Sequence, residues 1–92
     1  MTEGDRYRIR VENRALAGWQ ELIRKYPDEM AEFIEFLKSQ PTNTRATSGK
    51  IKKLKGRLKG ILQFDISYDE RIRYTVDKRN RTISVLYAGG HP

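Results

Sequence analysis

Arg71 and Arg73 flank a single isoleucine in the run Arg-Ile-Arg-Tyr-Thr-Val, and the only histidine, His91, follows Gly89 and Gly90 and precedes Pro92. Upstream, Lys50, Lys52, Lys53, Lys55, Arg57 and Lys59 crowd between positions 50 and 59. Cations beside one titratable ring suit cleavage of an RNA phosphodiester by the RNA's own 2′-hydroxyl. A base takes the 2′ proton, cations stabilise the charge added to phosphorus, and an acid protonates the leaving 5′ oxygen. Arginine fits the middle role through its planar fork and permanent charge. Histidine, titrating near neutrality, fits either proton transfer. No metal enters this scheme. The same residues also fit a plain structural reading, in which the arginines solvate a sheet face or pair with Asp65 across strands. His91 is then a frayed end, and Tyr74 and Tyr87 are packing residues.

Other chemistries lack their residues. One histidine and scattered carboxylates give no ligand spacing for a metal, and no cofactor is expected. Gly56 and Gly60 do not sit in a strand-to-helix phosphate loop, no Ser/His/Asp set is readable, and Asp69 and Glu70 read as turn residues. The absence of cysteine excludes disulfides, thiol catalysis and cysteine-based zinc sites, and it fits a reducing cytosol.

With 92 residues the chain predicts one domain over 1–92. Its net charge is +7, and no acidic residue lies between Glu35 and Asp65, where Lys38 and Arg45 join the lysine-rich stretch. That concentration fits a phosphate-rich partner, a membrane surface, an acidic protein, or simply a solvated face. No apolar run is long enough to span a bilayer, and Met-Thr-Glu-Gly-Asp-Arg is not a signal peptide. A soluble, cytoplasmic protein is expected.

The elements that must position these residues follow from periodicity. Tyr7 to Val11 alternates as a half-buried strand, with Arg8 and Arg10 on the polar side. Asn13 can cap a helix whose stripe runs through Ala15, Leu16, Trp19, Leu22, Ile23 and Tyr26. Pro27 breaks it, and Asp28 can cap a second helix through Met30, Phe33, Ile34 and Leu37. Residues 40–49 read as a surface loop, and Ile51 and Leu54 as core anchors within the basic stretch. Three strands complete the chain: Ile61 to Tyr68, Arg71 to Val76, and Thr82 to Ala88. The expected fold is α+β, β-α-α-β-β-β, with a helical hairpin on one face of a mainly antiparallel sheet. The other face, carrying Gln63, Asp65, Arg71 and Arg73, stays open.

In this order and spacing the chain resembles the RelE/ParE superfamily of type II toxins over Tyr7 to His91. Tyr-Arg-Ile-Arg-Val-Glu-Asn-Arg-Ala-Leu-Ala-Gly-Trp (7–19) resembles the family's opening strand and first helix, and Lys53-Leu54-Lys55-Gly56 its K-L-K/R-G element. Arg71-Ile-Arg-Tyr-Thr-Val-Asp77 resembles R-x-x-Y-x-[VI]-D, and Val85-Leu-Tyr-Ala-Gly-Gly-His91 the closing V-L-x-x-G-x-[HR]. The resemblance implies a ribosome-dependent mRNA endonuclease, held silent by an acidic antitoxin in a hetero-oligomer. It places Arg71 on the phosphate-holding arginine, with Arg73 beside it, and His91 on the terminal acid or base. It places Lys50 to Lys59 and Arg45 on RNA. Where some members carry catalytic lysines this chain has Gln63 and Asp65, and an acid there either serves as general base or weakens RNA binding. Many members continue past Gly-x-His to an aromatic that stacks on the substrate base, a role left here to Tyr68 or Tyr87 or vacant. The gyrase-inhibiting branch shares the fold without the nuclease set, so a gyrase poison and an inactive antitoxin binder are the alternatives.

Overall fold

Alternation sets the first element: Ile9 and Val11 pack toward the core while Arg8 and Arg10 stay exposed, giving β1 (Arg8–Val11). The computed structural model describes residues 6–43 and 50–90. Two helices follow, α1 (Asn13–Lys25) and α2 (Pro27–Ser39). Glu12, not Asn13, holds the extended position before α1, and its carboxylate accepts from Arg14 Nε at 2.8 Å instead of capping an amide. Tyr26 separates the helices. Pro27 begins α2, where its missing N–H costs no hydrogen bond, and Asp28 lies in the first turn, where a carboxylate favours the positive helix end.

The sheet has one strand more than expected. β2 (Ile51–Lys53) forms within the basic stretch and pairs antiparallel with β3 (Leu62–Asp65). β3 pairs with β4 (Arg71–Asp77), and β4 with β5 (Thr82–Gly89). β1 closes the far edge parallel to β5, giving the order β1-β5-β4-β3-β2. The α+β fold with a helical hairpin against a mainly antiparallel sheet is as the sequence implies. Among the described residues no helix is long and apolar enough to cross a membrane.

The hairpin buries Ala15, Trp19, Leu22, Met30, Phe33 and Leu37 against Phe64, Ile72, Tyr74, Ile83, Val85 and Ala88. Phe33 stacks on Phe64 at 4.0 Å between ring centroids and meets Tyr74 edge-on at 5.6 Å. Ile51 packs on this core as expected, whereas Leu54 is only half-buried. Leu16 and Ile23, placed in the α1 stripe by period, are exposed. The stripe that meets the sheet is narrower than the sequence suggests.

β3 ends at Asp65 rather than Tyr68. The amides of Ile66 and Ser67 both donate to the Glu70 carbonyl, closing a turn that throws Tyr68 out to 95% exposure. A second irregularity sits in β5, where Arg73 faces Tyr87 but Tyr74 faces Val85, leaving Leu86 as a bulge. The extra residue turns Ala88 inward and Tyr87 outward. Ala88 then meets α1 so closely that a Cβ on Gly18 would lie 1.8 Å from its carbonyl oxygen. Glycine is required there by contact.

Candidate functional site

β4 buries Ile72 and Tyr74, and the pleat therefore sends Arg71 and Arg73 to the opposite face of the sheet. Register places their neighbours. Arg73 lies opposite Gln63 on β3 and Tyr87 on β5, with Lys52 of β2 beyond Gln63. Arg71 lies opposite Asp65 and Gly89. Gly89 adopts φ +137°, which a side chain rarely tolerates. Beyond it the hydroxyl of Tyr87 donates to the Gly90 carbonyl, tying down the strand end.

A directed hydrogen-bond chain links these side chains. Arg73 Nε donates to Gln63 Oε1 at 3.0 Å, and Gln63 Nε2 donates to Asp65 Oδ1 at 3.0 Å. Because Arg Nε can only donate, the amide orientation is fixed, and its nitrogen must face the carboxylate. Lys52 Nζ approaches Asp65 Oδ2 at 3.4 Å. Arg71 donates from its terminal nitrogen to the Tyr68 carbonyl at 3.5 Å, but its Nε is 4.0 Å from Asp65 Oδ1 and has no hydrogen-bond partner. The Arg71 side chain is 15% exposed.

The face is therefore less open than expected. Gln63 is 6% exposed, closed over by Arg73 and Asp65. Its position on the face was legible by alternation, but its burial was not, because periodicity does not say how far a neighbouring arginine folds back. Glu70, taken for a turn residue, binds the β3–β4 turn to the helical hairpin. It accepts from Tyr26 Oη at 2.7 Å, from Lys25 Nζ at 2.9 Å and from Ser67 Oγ at 3.3 Å. These partners, Tyr26 first, hold its carboxyl below the usual glutamate range.

The basic residues divide. Lys52 joins the site, while Lys53 pairs opposite Leu62 and so belongs to the helix side of the sheet. Lys50, whose carbonyl accepts from the Asp65 amide, and Lys55, Arg57 and Lys59, around a short 3₁₀ turn (Gly56–Leu58), are exposed along the β2 edge. Tyr68 stands free at the turn beside Arg71, whereas Tyr87 is half-buried beside Arg73. Arg45 and His91 lie outside the described residues. Among the described residues no three His, Cys, Asp or Glu side chains gather to hold a metal. What the arrangement supplies is a guanidinium with a free donor, a second one braced by an amide, a carboxylate and an ammonium, all on one rigid sheet.

No family model matches this chain, and no curated protein sequence matches it. Solved structures do. The chain is similar to the YoeB–YefM complex from Staphylococcus aureus at 26% identity and TM-score 0.68, over 95% of this chain and 99% of that one. It is similar to the archaeal RelE–RelB complex from Pyrococcus horikoshii OT3, at 21% identity and TM-score 0.69 over 91% and 93% of the two chains. A YoeB/ParE toxin from Agrobacterium tumefaciens matches at 17% identity and TM-score 0.65, over 92% of this chain and 99% of that one.

Proposed function

We propose, on the premise that this chain carries the RelE/ParE toxin fold, that it is a type II toxin cleaving mRNA on the ribosome. The toxin part is supported by neighbours that are toxins of toxin–antitoxin pairs, three of them in complex with YefM or RelB. A comparable acidic antitoxin suits a chain of net charge +7. Cytoplasmic action follows from that role.

The observation that carries the nuclease part is the outer-face grouping of Arg71 opposite Asp65 and Arg73 opposite Gln63, beside the strand end that leads to His91. Arg71, with its unpartnered Nε, holds the scissile phosphate and meets the charge that grows on it. Arg73, braced through Nε by Gln63, keeps its terminal nitrogens for the same charge. Asp65 takes the 2′ proton as general base, and His91 delivers one to the 5′ oxygen. Lys50, Lys52, Lys55, Arg57, Lys59 and Arg45 hold the flanking RNA by its phosphates, while Lys53, expected there too, is turned to the helix side and takes no part. Tyr68, exposed beside Arg71, offers a ring for a base.

The test is cleavage of ribosome-bound mRNA by the purified protein, with gyrase supercoiling measured alongside. Wild type should cut within ribosome-bound codons. His91→Gln should cut roughly a hundredfold to ten-thousandfold more slowly. It should also lose a pH limb near the ordinary histidine value of about 6.5 while still binding the antitoxin. Intact mRNA with blocked supercoiling would assign the gyrase-poisoning alternative. Antitoxin binding with neither effect would leave an inactive toxin.

A further inference from the structure

We infer that the nucleic-acid surface continues past Arg71 and Arg73 across the open sheet face to Arg8 and Arg10 on β1, a second phosphate-binding station for a single-stranded backbone. The ligand's identity rests on the function proposed above, and the placement rests on register. Arg8 pairs with Thr82 and Arg10 with Ser84, while Thr82 and Ser84 pair in turn with Asp77 and Thr75 of β4. The bulge lies in β5, so β4 keeps its alternation, and Arg71, Arg73, Thr75 and Asp77 share one face. Arg8 and Arg10 stand on that face at the opposite edge from Lys52.

The charges along this track are unequally satisfied. Both outer carboxylates are engaged, Asp65 by Gln63 and Lys52, and Asp77 by the Asn80 amide at 3.1 Å and its side-chain nitrogen at 2.9 Å. Arg14 and Arg24 each pair with a glutamate. Arg8 and Arg10 are exposed, and neither side chain hydrogen-bonds or ion-pairs with any described residue. With strands about 4.8 Å apart and residues about 3.4 Å apart along them, Arg10 lies roughly 12 Å from Arg73. Between them sit the hydroxyls of Thr75 and Ser84, groups that donate to phosphate oxygens. Free guanidiniums on rigid strands, with hydroxyls between them and the Arg71–Arg73 pair, fit a polyanion lying across the sheet.

The experiment follows binding of a fluorescent, all-2′-deoxy single strand, which cannot be cleaved through a 2′-hydroxyl, by anisotropy over a salt series. The Arg8→Gln/Arg10→Gln variant is compared with wild type and with Arg24→Gln/Lys38→Gln, which removes equal charge from the helix layer. Each lost phosphate contact flattens the log–log salt slope by about 0.7 for a single strand, so the β1 variant should lose about 1.4 and the helix variant little. Equal slopes for both variants would overturn the inference, because β1 would then contribute only bulk charge or blunt an edge strand. Binding of polyglutamate but of no oligonucleotide would overturn it as well. A β1-dependent slope in a protein that never cuts ribosome-bound mRNA keeps the inference and removes the nuclease reading. Cleavage with an unmoved slope does the reverse.

Discussion

Arg71 and Tyr74 lie on one strand and face opposite ways, and each keeps a buried polar atom without a hydrogen-bond partner. The hydroxyl of Tyr74 is sealed in the core, and burial pushes its proton affinity well above that of an ordinary tyrosine. Nothing can reach it there. Its cost is a desolvated hydroxyl, about 1–3 kcal/mol, accepted because the ring fills the core edge-on to Phe33. Arg71 Nε has the same defect at the rim of the outer face, on a side chain that solvent still touches. The atom itself is covered, and a phosphate oxygen completes it only when the guanidinium swings outward, a movement open at the rim and closed in the core. One unsatisfied donor is a packing residue's burden and the other an open valence, and the pleat of β4 alone decides which is which.

The sharpest way to break this comparison is to remove Arg71. If its donor is reserved for a phosphate, Arg71→Ala should slow single-turnover cleavage by on the order of a hundredfold to a thousandfold. Stability should barely move, since its ion pair with Asp65 is long and its bond to Tyr68 is at the limit of reach. Lysine should restore only part of the rate, because a point charge lacks the fork. A urea midpoint falling in step with activity would make Arg71 a structural residue.

Gly18 tests whether the bulge that sorts Tyr87 outward and Ala88 inward depends on helix contact. Gly18→Ala forces a methyl against the Ala88 carbonyl at a distance no packing tolerates. Separation of α1 from β5 should cost about 1–3 kcal/mol by urea unfolding, in the range of core overpacking. Because Gly89 lies opposite Arg71, cleavage should drop with it. Unchanged stability would mean that β5 can relax without the contact.

What the sequence disclosed follows the same division. The alternation Arg71-Ile72-Arg73-Tyr74 was legible because both faces of β4 have unambiguous polarity, and the two helical stripes were legible by period. β2 was not, because Lys52 and Lys53 are both exposed and three residues carry too little alternation to register. Tyr68 was drawn into β3 because apolar spacing runs on through Ile66, while the backbone has already turned onto the Glu70 carbonyl. The bulge at Leu86 has no periodic signature. Its trace is a pair of small residues, Gly18 and Ala88, distant in sequence and informative only once α1 is laid on β5. The roles expected of Arg45 and His91 rest on the sequence alone, since both lie outside the described residues.

The inner orphan gives a prediction of opposite sign. Tyr74→Phe keeps the ring and deletes the unpaired hydroxyl, so the protein should become more stable by about 1 kcal/mol. The measurement is the urea midpoint at constant m-value, with cleavage unchanged because the hydroxyl faces away from Arg71. A loss of stability would mean that the hydroxyl has a partner in solution and that the two orphans are not alike.

The smallest effect should come from Glu70, which joins the two regions by fastening the turn beside Arg71 to the helical hairpin. Its carboxyl titrates below the usual range in the folded state, chiefly through the Tyr26 hydroxyl and then through Lys25. Below the ordinary glutamate value of about 4.3 the unfolded chain therefore binds more protons at this residue. Its contribution is complete above that value and is lost as pH falls through the lower folded one. Glu21, Glu35 and Asp77 are shifted the same way by their own partners, so the wild-type acid limb is shared. Glu70→Gln isolates one part of it: the variant should be slightly less stable at neutral pH, and the gap to wild type should close as pH falls below about 4. A gap that stays constant down the limb would mean the residue acts by packing rather than by charge. The turn beside Arg71 would then be held to the helices without electrostatic help.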